Sequence, residues 1–168
     1  VVDRDDPVVT LGWDRELERG SFKLFGSYDK NSILSTELKR TGTVNVDGDE
    51  TTKALNAEWS RLLTEKVNLT LGGRLDETKY DTDDLIDYKD RAFNSGLTYQ
   101  LNEKIDVFAT AGYLRYIPSG NNSDINHQKY FGGANIQVSP SLSVTAGAGW
   151  SHFSSFASYM ITNAGFNY

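Results

Sequence analysis

His152, Phe153, Ser154 and Ser155 are the residues of this 168-residue chain whose types and spacing come nearest to a reaction. On an extended strand, residues two apart share a face, so His152 and Ser154 stand side by side. That places a histidine base next to a hydroxyl nucleophile, an arrangement suited to acyl transfer; the plainer reading is a histidine and a serine at a polar rim without catalysis. His127, the other histidine, falls in a polar stretch read as a loop, with no evident partner. There is no cysteine, which removes disulfides, thiolate metal sites and a cysteine nucleophile. Acidic clusters at Asp47, Asp49 and Glu50 and at Asp81, Asp83, Asp84, Asp87 and Asp90 do not follow calcium-loop spacing, and Gly48 comes too early for it. They read as solvated, mutually repelling loops. No phosphate loop, zinc motif or nucleotide fingerprint occurs, so neither metal nor cofactor is expected. With 17 basic against 23 acidic side chains and a formal charge of −6, nucleic acid is not the expected partner.

The elements that must hold these residues show a period of two. Val67, Leu69, Leu71, Gly73 and Leu75 alternate with Asn68, Thr70, Gly72, Arg74 and Asp76. Ile105, Val107, Ala109, Ala111 and Tyr113 alternate with Asp106, Phe108, Thr110 and Gly112, and Leu142, Val144, Ala146, Ala148 and Trp150 with Ser143, Thr145, Gly147 and Gly149. Four units of strand, tight polar turn and strand repeat, with turn centres near Arg19, Glu65, Glu103 and Pro140. Longer polar segments, Lys39 to Glu50, Asp81 to Asp90, Pro118 to His127 and Phe153 to Ala157, join the other strand ends. Short connections on one side and long ones on the other are the asymmetry of a transmembrane β-barrel.

The composition of the two faces separates a membrane barrel from a soluble one. A soluble barrel needs bulky apolar residues inside and charge outside. Here the apolar face is opposed by Gly, Ser, Thr, Asn and Gln, which suit a wet lumen with the apolar face toward lipid. Trp13, Trp59 and Tyr99 before the short turns, and Tyr28, Tyr80, Tyr113 and Trp150 toward the loops, are expected to form two interfacial girdles, against the alternative of ordinary cross-strand aromatic packing. Arg61 has lipid-facing parity but lies near a turn, where an arginine costs only about 0 to 1 kcal/mol. Val44 and Val46 have the opposite parity to Leu55 and Ala57, which calls for a bulge or a strand projecting above the membrane.

On the repeated unit from Gly12 to Tyr168 and the ending Ala164-Gly165-Phe166-Asn167-Tyr168, the sequence resembles Gram-negative outer-membrane β-barrels of the porin-like kind. The resemblance implies a single all-β domain over residues 1–168, an antiparallel up-and-down barrel with about eight to ten strands in this chain. It also implies an outer-membrane location, with outer-membrane lipid and lipopolysaccharide, the barrel insertion machinery and other subunits of a secretion or transport complex as partners. Phe166 and Tyr168 resemble the terminal aromatic signal that the insertion machinery reads. The segment from His152 also resembles the His-x-Ser-Asn motif of outer-membrane lipid A deacylases, although Ser155 stands where that motif has Asn and no Glu follows to orient the histidine.

Nine strands are expected, starting near Pro7, Ser21, Thr51, Val67, Lys89, Ile105, Gln128, Leu142 and Ala157. Bacterial barrels have even strand numbers, so the chain is expected to be the C-terminal part of a larger barrel, with Val1 to Asp6 in a long loop. Splitting Ser21 to Val46 at Asp29 to Ser32 would give ten strands; leaving Pro7 to Glu16 peripheral would give eight. The residues expected to line a pore are Lys23, Glu58, Asn68, Arg74, Asp76, Asn94, Gln100, Asp106, Asn135, Gln137 and Asn163, with mixed signs and no strong ion selectivity. Gly72, Gly96, Gly112, Gly133, Gly147, Gly149 and Gly165 on the same face either leave the lumen open or ease strand curvature. The functions that follow are a passive pore or secretion conduit, an anchoring barrel acting through its loops, or a lipid A deacylase.

Overall fold

The computed structural model describes residues 7–33, 48–120, 122–154 and 158–167. These form one antiparallel sheet of nine strands in sequential order. The strands are β1 (Val8–Leu17), β2 (Gly20–Ser32), β3 (Asp49–Thr64), β4 (Val67–Tyr80), β5 (Tyr88–Asn102), β6 (Ile105–Pro118), β7 (Ile125–Ser139), β8 (Leu142–Phe153) and β9 (Tyr159–Asn167). The sheet is open, with β1 and β9 as its edges.

Two-residue turns close four hairpins, at Glu18-Arg19, Glu65-Lys66, Glu103-Lys104 and Pro140-Ser141. Side chains hold three of them: Thr64 Oγ1 accepts from the Lys66 and Val67 backbone N–H groups at 3.2 and 3.1 Å, Asn102 Oδ1 accepts from the Lys104 N–H at 2.9 Å, and Gln137 Nε2 donates to the Ser139 and Pro140 carbonyls at 2.9 and 3.3 Å. One extra residue, Leu63, Leu101 or Val138, interrupts the register before each of the last three turns. The bulges let neighbouring hairpins lace together. Arg19, Lys66 and Lys104 carbonyls accept from the backbone N–H of Leu62, Gln100 and Gln137 on the next strand over, at 2.7 to 2.8 Å.

Several sequence-based expectations change here. Asp29 to Ser32 lies within β2, so the ten-strand split does not occur there, and β1 pairs with β2 along its length instead of lying peripheral. His127 belongs to β7, not to a loop, because that strand starts at Ile125. Val44, Val46, most of the segment from Lys39 to Glu50, and Tyr168 lie outside the described residues.

Residues directly opposed across a ladder share a face, so the registers sort every strand residue. The sheet buries its polar face: Asp76, Thr78 and Ser151 are buried there, whereas Leu11, Leu75, Phe93, Trp150 and Met160 on the other face are at least half exposed. A curling sheet encloses side chains on its concave side. The polar face is therefore the inside of the curve, and the face that meets the surroundings is apolar.

Candidate functional site

All eleven residues expected to line a pore fall on the concave face, from Lys23 opposite Glu58 on β2 and β3 to Asn163 opposite Gly147 on β9 and β8. The charges on this face are unevenly signed. Asp14, Glu16, Asp29, Glu50, Glu58, Asp76, Asp90 and Asp106 outnumber Lys23, Arg74 and Lys129, so the wall is acidic and not balanced. Its ion pairs are local. Lys23 lies 3.9 Å from Asp14 on the adjacent strand, and Arg74 pairs with Asp76 on its own strand.

The inner glycines do two different things. At Gly133, Gly147 and Gly149, a Cβ would run into neighbouring backbone and into the rings of Phe108 and Phe131. Those rings lie 6.0 Å apart on the bare backbone, and only glycine lets them lie so flat. At Gly112 and Gly165 a Cβ would meet nothing closer than 4.0 Å, so the wall there is open.

Toward the loops the concave face becomes aromatic. Tyr88 and Tyr116 lie 5.2 Å apart, and His127 stacks on Phe153 at 4.0 Å, which in turn faces Tyr159 at 6.3 Å. His127 Nε2 is 2.7 Å from the Ser151 hydroxyl, a partner the sequence did not suggest because the two lie 24 residues apart. Ser151 is 2% exposed, so its hydroxyl orients the imidazole and is not open to a substrate. Tyr80, expected in a girdle, sits opposite Glu50 on this concave face.

His152 and Ser154 do not come together. His152 keeps its outward parity opposite Gln128, and its Nδ1 is 2.7 Å from the Ser158 hydroxyl. Ser154 leaves the strand; its Oγ accepts from the Asn126 N–H at 3.0 Å and its own N–H donates to the Asn126 carbonyl at 2.9 Å. Two acidic loop residues also have structural partners. Asp81 Oδ1 accepts from the Asp49 N–H, and Asp87 Oδ1 from the Tyr80 N–H at 2.8 Å, tying the β4–β5 loop to the strand ends.

The convex face carries the apolar band. Near the short turns run Trp13, Phe22, Trp59 and Tyr99, with Trp13 and Phe22 in ring contact at 5.4 Å. Toward the loops run Tyr28, Tyr113, Tyr130 and Trp150. Leu11, Leu55, Leu75 and Leu97 and the small residues Ala109, Ala111, Gly132 and Ala148 lie between the rows. Aromatic rows bounding an apolar belt match rings seated at two membrane interfaces.

A sheet with these turns, this alternation and this belt has the outer-membrane β-barrel fold, and the bacterial outer membrane is where such a belt is solvated. No protein-family model and no curated protein sequence matches the chain. Among solved structures it is similar to outer-membrane expressed OmpT of Vibrio cholerae, with a TM-score of 0.69 at 12% identity over 88% of this chain and 46% of that one. It is similar also to the in-vitro folded trimer form of V. cholerae OmpT, with a TM-score of 0.70 at 11% identity over 96% and 54%. For the loop L8 deletion mutant of the same protein the TM-score is 0.66 at 11% identity over 94% and 62%. The chain thus spans about half the length of the first structures it matches.

Proposed function

We propose that the chain forms part of the wall of a water-filled pore in the outer membrane, passing small polar solutes and favouring cations. One observation carries the reading: the face enclosed by the curve is polar, glycine-rich and acidic, while the face left exposed is apolar between two aromatic rows. An anchoring barrel that acts through its loops would knit its lumen with long-range ion pairs such as Arg74 with Asp106 or Glu58. Arg74 is instead engaged by Asp76 beside it.

The open edges belong to the same proposal. Unpaired strand edges are not tolerated in lipid, so β1 and β9 need partners. Both strands run toward the short turns, so pairing them with each other would be parallel. An all-antiparallel closure takes an odd number of further strands, which makes this sheet a portion of a larger barrel. Planar-bilayer recording of the full-length protein tests the pore. Stepwise conductance with a reversal potential displaced toward that of the cation is expected; a folded, inserted barrel that passes no current refutes it.

Acyl transfer at the rim is the lesser reading, kept because His152 has the Ser158 hydroxyl at 2.7 Å. Unchanged lipid A acylation in cells carrying His152→Ala dismisses it.

A further inference from the structure

The convex face bears charge of the opposite sign to the lumen. Above the apolar belt of β3 to β6, on the loop side, it carries Lys53, Lys79, Lys89, Arg91 and Arg115 against the carboxylates of Glu77 and Asp124. Asp87 also stands beside Lys79 and Lys89, and Asp49 at the start of β3 is taken by Lys30 at 3.0 Å, so the five cations stand against the three carboxylates of Glu77, Asp87 and Asp124, a net charge of +2 in one patch. We propose that this patch binds the phosphate groups of a phosphorylated glycolipid, the lipopolysaccharide of the outer leaflet, while its acyl chains lie along the leucines below.

The placement is regular. Lys53, Arg91 and Arg115 each stand one same-face step beyond an exposed apolar residue, Leu55, Phe93 and Tyr113 respectively, a step of about 7 Å along a strand. That interval separates the end of an acyl layer from its headgroup. Long loops of outer-membrane barrels face outward, so the patch sits at the level of the outer-leaflet headgroups.

Two details call for an anion. Arg91 and Arg115 are directly opposed across β5 and β6, an arrangement in which like charges repel. Arg115 is engaged by Asp124, its Nε donating at 2.9 Å, but among the described residues Arg91 has no carboxylate partner. Glu77 is shared between Lys89 at 3.2 Å and Lys79 at 3.7 Å, so it does not reach Arg91 as well. Between Lys53, Leu55, Leu75, Glu77, Lys89 and Arg91 lies a groove of about 290 Å³, with Asp76 and Asp90 of the same strands also in its lining but on the concave side of the sheet by parity. The planar fork of an arginine fits a phosphate, and the leucine floor fits an acyl chain; free phosphate would gain nothing from that floor. Leu55 and Leu75 are 44% and 51% exposed, so the floor is open to a lipid.

The test uses the full-length protein folded in non-ionic detergent and titrated with diphosphoryl lipid A, with bound lipid counted by native mass spectrometry. Saturable binding is expected, with Arg91→Ala/Arg115→Ala weakening it about tenfold or more and lipid A stripped of its phosphates binding equally poorly. Arg91→Lys/Arg115→Lys, which keeps the charge but not the fork, is expected to bind more weakly than the unaltered protein and more tightly than the alanine pair, and so guards against a folding defect in that pair. Arg61→Ala, at the opposite rim, leaves it unchanged. Equal binding by the alanine pair or by the phosphate-free lipid overturns the proposal. Displacement of bound lipid A by equimolar inorganic phosphate also overturns it, in favour of a simple anion site. The inference rests on the membrane orientation proposed above but not on conductance. A sealed barrel that binds lipid A refutes the pore alone, and a conducting barrel that does not bind it refutes this patch alone.

Discussion

Replacing Leu97 with arginine is a direct test of which face meets lipid. Leu97 is 44% exposed on the convex face, opposite Leu69 and Ala109, two residues from Tyr99 in one aromatic row and level with a residue four from Tyr113 in the other. An arginine there sits within the hydrocarbon layer, where the cost on a barrel's lipid face is about 2 to 4 kcal/mol. At about 1.4 kcal/mol per factor of ten, the folding equilibrium shifts by roughly 30- to 700-fold. Asn94, three residues away on the concave face, lies over Gly72 and opposite Gly112, where an added carbon would meet nothing closer than 4.0 Å. Asn94→Arg is expected to cost less than about 1 kcal/mol, as for an exposed site. Urea unfolding and refolding of the full-length protein in phospholipid vesicles, followed by tryptophan fluorescence and gel mobility, measures both. Equal costs, or a larger cost for Asn94→Arg, would refute the assignment of the faces.

Gly149→Val puts a side chain against the Tyr130 carbonyl and the Phe131 backbone, so it is expected to destabilise by about 1 to 3 kcal/mol, whereas Gly73→Ala, with nothing within 4 Å of the added carbon, is expected to be neutral in the same unfolding assay. Thr64→Ala removes the acceptor for two turn N–H groups and is expected to cost about 0.5 to 1.5 kcal/mol, read as a lower urea midpoint. Glu58→Gln/Asp106→Asn takes two negative charges from the concave wall, and the reversal potential in a salt gradient is expected to move toward zero; no movement would mean that these carboxylates do not face the ion path.

Period, turn chemistry and side-chain polarity are local properties, and they made most of the architecture legible in advance. Nine strands begin within three residues of where the alternation places them. The two-residue turns fall at Arg19, Glu65, Glu103 and Pro140, since Thr64 and Asn102 can accept from turn amides and the charged residues there cannot continue an apolar face. The residues from Lys23 to Asn163 that were expected to line a pore could be sorted onto one face because, within an uninterrupted strand, parity alone decides the face.

Register, bulges and long-range pairing are properties of two strands at once, and there the chain read alone was insufficient. Tyr80 is the exception: β4 runs unbroken from Val67, so its parity with Arg74 and Asp76 already puts it on the concave face, and its place in a girdle was a misreading of parity. His127 found Ser151 and Phe153 only when β7 and β8 were laid together. His152 and Ser154 parted because the strand ends between them, so parity no longer governs the serine. The cations at the loop-side strand ends, Lys53, Lys79, Lys89, Arg91 and Arg115, gather into one patch only when β3 to β6 are laid side by side. The sequence by itself determined an alternating, hairpin-built sheet with one face for lipid and one for water. Only the tertiary structure decided which charges stand side by side, Arg91 against Arg115 or Lys23 against Asp14, because that depends on how each strand is registered against its neighbour.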